Sequence, residues 1–267
     1  HPSILKFIGY SIQQVNRTHF RYNIIVEYSP NEPLNKIIEN NYSYLDDTKK
    51  LITIYGIASA MSYLHSHGIL HRDLKPANIY FDEFDHPKLS GFNISIETGH
   101  YLIEKCDKIK GTPAYLAPEV YLKNEYSSAS DVYSFSLIMY EIITAKKPFD
   151  KKLSPKQIKE KLNKMERPLF DEQINESYRS LIKRCWSQNP KERPTFDEIA
   201  KLLRNDPEFI TEEINQEDYQ KYIKFIDSHT KNDMNIPVKE ETVDKTKKEE
   251  EIDKLDFISE NPDEIDL

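Results

Sequence analysis

His71-Arg72-Asp73-Leu74-Lys75-Pro76-Ala77-Asn78 decides the reading of this chain: four ionisable side chains, a proline and an amide in eight residues, an irregular polar stretch. Its flanks are regular. Upstream, Leu51, Ile54, Tyr55, Ala58, Met61, Ser62 and His65 recur three or four apart between Asp47 and His67, which predicts a long helix with one buried face, stopped by Gly68. Downstream, Ile79 to Phe81 and Lys88 to Leu89 read as two small strands, followed by a loop of about thirty residues, a length that in a compact domain is functional or disordered. Residues 131 to 144 are almost continuously apolar and predict a helix buried on nearly all sides. Further helices are expected at 154–164, 178–186, 196–204 and 217–227, the last with Tyr219, Tyr222 and Phe225 as a packing face. The start, Ile4 to Tyr10 and Tyr22 to Tyr28, predicts two strands, closed by Ser29-Pro30-Asn31-Glu32-Pro33 before a short helix carrying Leu34, Ile37 and Ile38.

Charge is concentrated at one end. Of 45 acids and 37 bases in 267 residues, residues 231–267 hold thirteen acids and six lysines, leaving 32 acids against 31 bases in the rest. A neutral body excludes nucleic-acid binding through bulk positive charge. The acidic tail from about Lys231 has too few apolar groups to offset its ordering entropy and is expected to be disordered. No apolar run approaches the ~20 residues of a membrane helix. Two cysteines, Cys106 and Cys185, supply neither a disulfide framework nor a zinc cluster and suit a reducing compartment, so a cytoplasmic chain with no membrane or nucleic-acid partner is expected. Cys185 reads as a small core residue and Cys106 as exposed. His65 and His67 are expected to cap the last carbonyls of their helix. The first residue is His1, which points to a chain that begins inside a longer protein or has lost its start.

Seven of the eight positions from His71 to Asn78 match the catalytic loop of protein kinases, and the chain resembles that family from residue 1 to about 204. The resemblance implies an α+β, protein-kinase-like fold, mainly its helical C-terminal lobe with a truncated small-lobe sheet. It divides the chain into 1–28 (last small-lobe strands and hinge), 29–204 (C-terminal lobe), 205–230 (an added helix) and 231–267 (the tail). It also implies ATP and Mg2+ as cofactors and a protein substrate or signalling partner. Asp73 would accept the acceptor hydroxyl's proton, Lys75 would neutralise γ-phosphate charge, and Asn78 would hold magnesium. Val26, Glu27 and Ser29 resemble the hinge, where backbone groups of Glu27 and Ser29 would meet adenine; Lys75 and Asn78 complete the nucleotide set. His71 and Arg72 would support the loop. Gly111-Thr112-Pro113-Ala114-Tyr115-Leu116-Ala117-Pro118-Glu119 looks like the end of an activation segment, with Thr112 bonding Asp73 and Lys75 and Glu119 pairing with Arg193. Asp131 would bond catalytic-loop backbone. Lys75, and Cys185-Trp186 followed by Arg193-Pro194-Thr195-Phe196, look most like the tyrosine-kinase-like Ser/Thr branch.

The chain departs from the family in two places. The Asp-Phe-Gly whose aspartate is the second magnesium ligand stands here as Gly91-Phe92-Asn93: Phe92 is retained, the carboxylate is not. Asp82 and Asp85 lie nearby in sequence and read as solvated turn residues. None of the six glycines falls in a G-x-G-x-x-G loop, and His1-Pro2-Ser3-Ile4-Leu5 resembles the segment just after the small lobe's helix, so the first third of the catalytic domain is not within these residues. Three readings follow: a slowed Ser/Thr kinase with weakened or lost ATP and Mg2+ binding, a pseudokinase that binds or scaffolds, and a truncated product without function.

Overall fold

The computed structural model describes residues 1–16, 20–98, 103–171 and 174–230. Elements in chain order are β1 (Phe7–Gln14), β2 (Phe20–Val26), α1 (Leu34–Asn40), α2 (Asp47–Ser66), β3 (Ile69–Leu70), β4 (Ile79–Phe81), β5 (Pro87–Leu89), β6 (Ile96–Glu97), β7 (Glu104–Lys105), α3 (Pro118–Lys123), β8 (Glu125–Tyr126), α4 (Ser128–Thr144), α5 (Pro155–Asn163), α6 (Glu176–Cys185), α7 (Phe196–Asn205) and α8 (Gln216–Thr230). Helices dominate, and the strands form two-stranded antiparallel ladders, β1 with β2, β3 with β6, β4 with β5 and β7 with β8. The architecture is the expected α+β fold.

Helices α2 and α4 form the centre. Asp46 starts α2 by accepting the Lys49 N–H at 2.8 Å, and Gly68, at φ +70°, turns the chain away beyond its last residues. One buried face was expected of α2; instead every residue from Leu51 to Ala58 is buried. The physical reason is enclosure, because α2 packs against α4, α7, α8 and β5. Helix α4 is buried from Ser130 to Ile142, and it begins at Ser128, earlier than its apolar run, because Ser127 and Ser130 form a capping box.

The first strand is displaced from its expected position at Ile4 to Tyr10. Leu5 is buried, its N–H donates to the Leu89 carbonyl at 2.8 Å, and the Leu89 N–H donates to the Ser3 carbonyl at 2.8 Å. Residues 3–5 therefore join β5, and β1 starts only at Phe7. The β1–β2 hairpin leaves Phe7, Ile8, Tyr10, Ile12, Ile24 and Ile25 exposed. In the described residues of the loop after Leu89, β6 pairs with β3 and β7 pairs with β8. The tail beginning at Lys231 lies outside the described residues.

Candidate functional site

The His71–Asn78 loop leaves β3 and enters β4, and α4 fixes its first turn. Asp131, fully buried, accepts the His71 N–H on Oδ2 and the Arg72 N–H on Oδ1, each at 2.9 Å, and meets His65 Nε2 at 2.9 Å. Two successive N–H groups converging on one carboxylate require an unusual backbone, and Arg72 adopts φ +66°. Burial works to raise the Asp131 carboxyl, but the His65 hydrogen bond and charge, with the His71 N–H, hold it below its ordinary value. His71 is also fully buried, and burial pushes its imidazole down despite Asp131 nearby. A neutral ring fits its bonds: Nε2–H donates to the Ser90 carbonyl at 2.8 Å while Nδ1 accepts the Asp73 N–H at 3.2 Å. Phe92 lies 5.0 Å from the same ring, centroid to centroid.

Asp73 is surrounded by donors. Its Oδ1 accepts the Thr112 hydroxyl at 2.6 Å and N–H at 3.1 Å; its Oδ2 accepts the Asn78 amide at 3.0 Å and meets Lys75 Nζ at 2.8 Å. Lys75 also donates to Thr112 Oγ1 at 2.7 Å, closing the ring. The Asn78 Nδ2 additionally donates to the Asp73 carbonyl at 2.8 Å, and two acceptors fix which end of the amide faces the loop. Gly91 stands against it at φ +85°: a Cβ built there would come within 2.3 Å of Asn78 Cγ and Nδ2. The Asn78 amide fills the place where a side chain at 91 would start.

The activation-segment end is anchored twice. Arg193 forks onto Glu119 at 2.6 and 2.8 Å, with both side chains buried, and also donates to the Ala129 and Ser187 carbonyls. Tyr115 donates to Glu141, whose carboxyl burial pushes up against the lowering contacts of Lys147 and Tyr115. Thus Asp73, Lys75, Asn78 and Thr112 form one cluster, with His71, Arg72 and Asp131 behind it and Phe92 beside it. The hinge segment lies elsewhere. The Glu27 N–H is committed to the Lys6 carbonyl, its carboxylate to the Lys6 N–H and Lys88, and the Ser29 hydroxyl to the Phe81 carbonyl. Val26 and Glu27 line a cavity of about 660 Å³ with Phe92 and Lys88, and Asp73 is not among its walls.

A family model of protein tyrosine and serine/threonine kinases matches residues 1–203, three quarters of the chain. The chain belongs to the protein kinase family. It is 32% identical over 212 residues to the probable serine/threonine-protein kinase gdt2 of Dictyostelium discoideum, covering 77% of this chain and 12% of that protein. It is 33% identical over 208 residues to the putative serine/threonine-protein kinase/receptor R831 of Acanthamoeba polyphaga mimivirus (76% and 12%), and 33% identical over 213 residues to serine/threonine-protein kinase 12 of Arabidopsis thaliana (77% and 44%). The chain therefore spans about an eighth of the first two relatives and under half of the third.

Kinases of this family use ATP and magnesium, and magnesium wants hard oxygen ligands, carboxylates above all. The residues here do not fit it. Gly91 offers no ligand, which leaves the Asn78 amide oxygen, on the side away from Asp73, as the one ligand of the expected pair, without a carboxylate beside it. Among the described residues no cluster of three or more His, Cys, Asp or Glu could hold a metal ion.

Several expectations are corrected. His65 does not cap its helix: its ring turns to Asp131, whereas His67 does bond the Tyr63 carbonyl at 2.8 Å. Asp85 is not simply solvated, since Lys49 pairs with it at 2.9 Å, and Asp82 accepts the Phe84 and His86 N–H groups at 2.9 Å. Cys106 is half-buried because the Arg72 guanidinium donates to its sulfur at 3.0 Å. No helix among the described residues is long and apolar enough to cross a membrane.

Proposed function

We propose that this chain is a catalytically impaired member of the tyrosine-kinase-like Ser/Thr branch, a pseudokinase module that binds a nucleotide or a signalling protein without transferring phosphate. Its parts are a small-lobe segment of 1–28, the C-terminal lobe of 29–204, an added segment of 205–230 that carries α8, and the acidic tail. The observation that carries this reading is the Gly91–Asn78–Asp73 arrangement: the carboxylate that would hold magnesium is replaced by a glycine whose vacant Cβ position is taken by the Asn78 amide, itself bonded to Asp73. Losing one charge-stabilising group from a transfer site costs roughly 10²–10³ in rate. Here the lost group is a metal ligand, and the Asn78 amide oxygen is the one member of the expected pair that remains.

The test is transfer of labelled phosphate from ATP to a generic Ser/Thr substrate by the full chain. None above background is expected. Transfer abolished by Asp73→Asn would refute the proposal and support the slowed-kinase reading. If transfer is found, Gly91→Asp is expected to raise it, because it restores a carboxylate beside Asn78, whose amide end must shift to admit the new Cβ.

A further inference from the structure

Helix α8 lies beyond the residues that match the kinase family, yet it is built into the molecule. The Tyr219 hydroxyl donates to the Leu203 carbonyl at 3.0 Å, and Arg204 forks onto Asp227 with both contacts at 2.7 Å. Tyr222 is the deepest contact. It is 1% exposed, its ring stands edge-on to Tyr55 and against His86, and its hydroxyl bonds Ser3 Oγ at 2.8 Å in a fully buried pair 219 residues apart. Helix α2 makes room for it. A Cβ at Gly56, in the middle of α2, would lie 2.3 Å from the Tyr222 hydroxyl and 2.5 Å from Pro87 Cγ. A mid-helix glycine is unfavourable relative to alanine, so its presence here is explained by the close approach of Tyr222 and Pro87.

Ser3 is not an arbitrary partner. Its carbonyl accepts the Leu89 N–H at 2.8 Å, and the Leu5 N–H donates to the Leu89 carbonyl at 2.8 Å. The next residue, Ser90, donates its N–H to the Asn78 carbonyl at 2.8 Å and accepts the His71 Nε2–H at 2.8 Å, immediately before Gly91. Hydrogen bonds joined by backbone thus run from Tyr222 to Ser3, from Ser3 to Leu89 and, through the next residue, Ser90, to both ends of the catalytic loop.

We propose that α8 is a brace for the catalytic loop and that Tyr222 is its positioning residue, acting through Ser3 on β5 and on the Ser90–Gly91 step. A change that unseats α8 loosens the Asn78 and His71 anchors while the helical core stays folded. This holds whether or not the site transfers phosphate.

The test is amide hydrogen exchange, residue by residue, on the full chain and on Tyr222→Phe, which keeps the ring and removes only the hydroxyl. The expected result is exchange faster by about three- to ten-fold, the range for losing one net hydrogen bond, at Leu89 and Ser90, with α4 amides unchanged. Ser3→Ala should reproduce the pattern, and the double variant should add nothing, because both substitutions remove the same bond. Rates at Leu89 and Ser90 within two-fold of the parent would overturn the proposal. So would a uniform acceleration that includes α4, which would make Tyr222 a general stability residue, and so would additive effects in the double variant.

Discussion

Arg193→Ala removes the centre of a buried network and is expected to destabilise the lobe strongly. The Arg193 side chain is 0% exposed and that of Glu119 10%. Besides its fork onto Glu119, the guanidinium satisfies the Ala129 and Ser187 carbonyls and lies 5.1 Å from the Tyr133 ring centroid. Truncation strands the Glu119 carboxylate in a medium that solvates it poorly, which costs about 3–5 kcal/mol. For a domain of this size 1 kcal/mol corresponds to about 2–4 °C in Tm, so a fall of at least ~6 °C is expected. Calorimetry or circular dichroism on the full chain measures it. The control is Glu119→Leu with Arg193→Met: an apolar pair of similar volume leaves no charge stranded and should recover a large part of the loss. A single variant melting within 2 °C of the parent would refute the argument, and a double variant no better than the single would show that packing, not the stranded charge, dominates.

Three further outcomes are expected. His71 titrates below its ordinary range in the native state, so as pH falls below about 6.5 the unfolded chain takes up a proton that the folded chain refuses, and stability declines by up to about 1.4 kcal/mol per pH unit until the native ring titrates. Urea unfolding at pH 7, 6 and 5 should show that slope reduced in His71→Gln; an identical slope would reject the assignment. Asp73→Ala should lower stability by about 1–3 kcal/mol, because it leaves the donors of Thr112, Asn78 and Lys75 without their acceptor, and an unchanged melting temperature would show that water replaces the carboxylate without loss. Cys185 is fully buried and burial pushes its thiol up, while Cys106 is half-buried, so a thiol reagent should titrate one cysteine in the native chain and two after denaturation. Two fast native thiols would contradict the packing around Cys185.

What could be read from the sequence was what is contiguous. The His71–Asn78 octet, the Gly91 substitution and the apolar run of α4 each lie within one short stretch, so residue order alone carried them. Distant pairs were legible only where the family resemblance named them, as for Glu119 with Arg193, Thr112 with Asp73 and Asp131 with the catalytic loop; the rest could not be read. The ring of His65 meets Asp131 across 66 residues, and nothing in the local pattern around His65 distinguishes that role from a helix cap. The true start of β1 depended on Leu5 finding Leu89. Gly56 was a usable signal, a glycine inside an apolar helical run that marks a close approach, but the identity of Tyr222 as the approaching group required α8 to be docked.

The same distinction bears on how the loop is held with Gly91 in the position of the family's aspartate. Asp73 and Asn78 are the residues the family places at substrate and magnesium. Here each has protein partners of its own: Asp73 accepts from Thr112, Lys75 and Asn78, and Asn78 bonds both the carbonyl and the carboxylate of Asp73. His71, Arg72 and Asp131 are likewise satisfied by backbone groups and by each other. Buried polar groups joined in this way are costly to remove one at a time, since each deletion orphans its partners. Gly91 touches the network only by leaving room for Asn78. An aspartate at that position could therefore be lost without unravelling the loop, whereas losing Asp73 would not be neutral even in a chain that transfers no phosphate. Retention of the octet is thus evidence about folding as much as about chemistry, and the phosphate-transfer assay and the Asp73→Ala melting experiment separate the two.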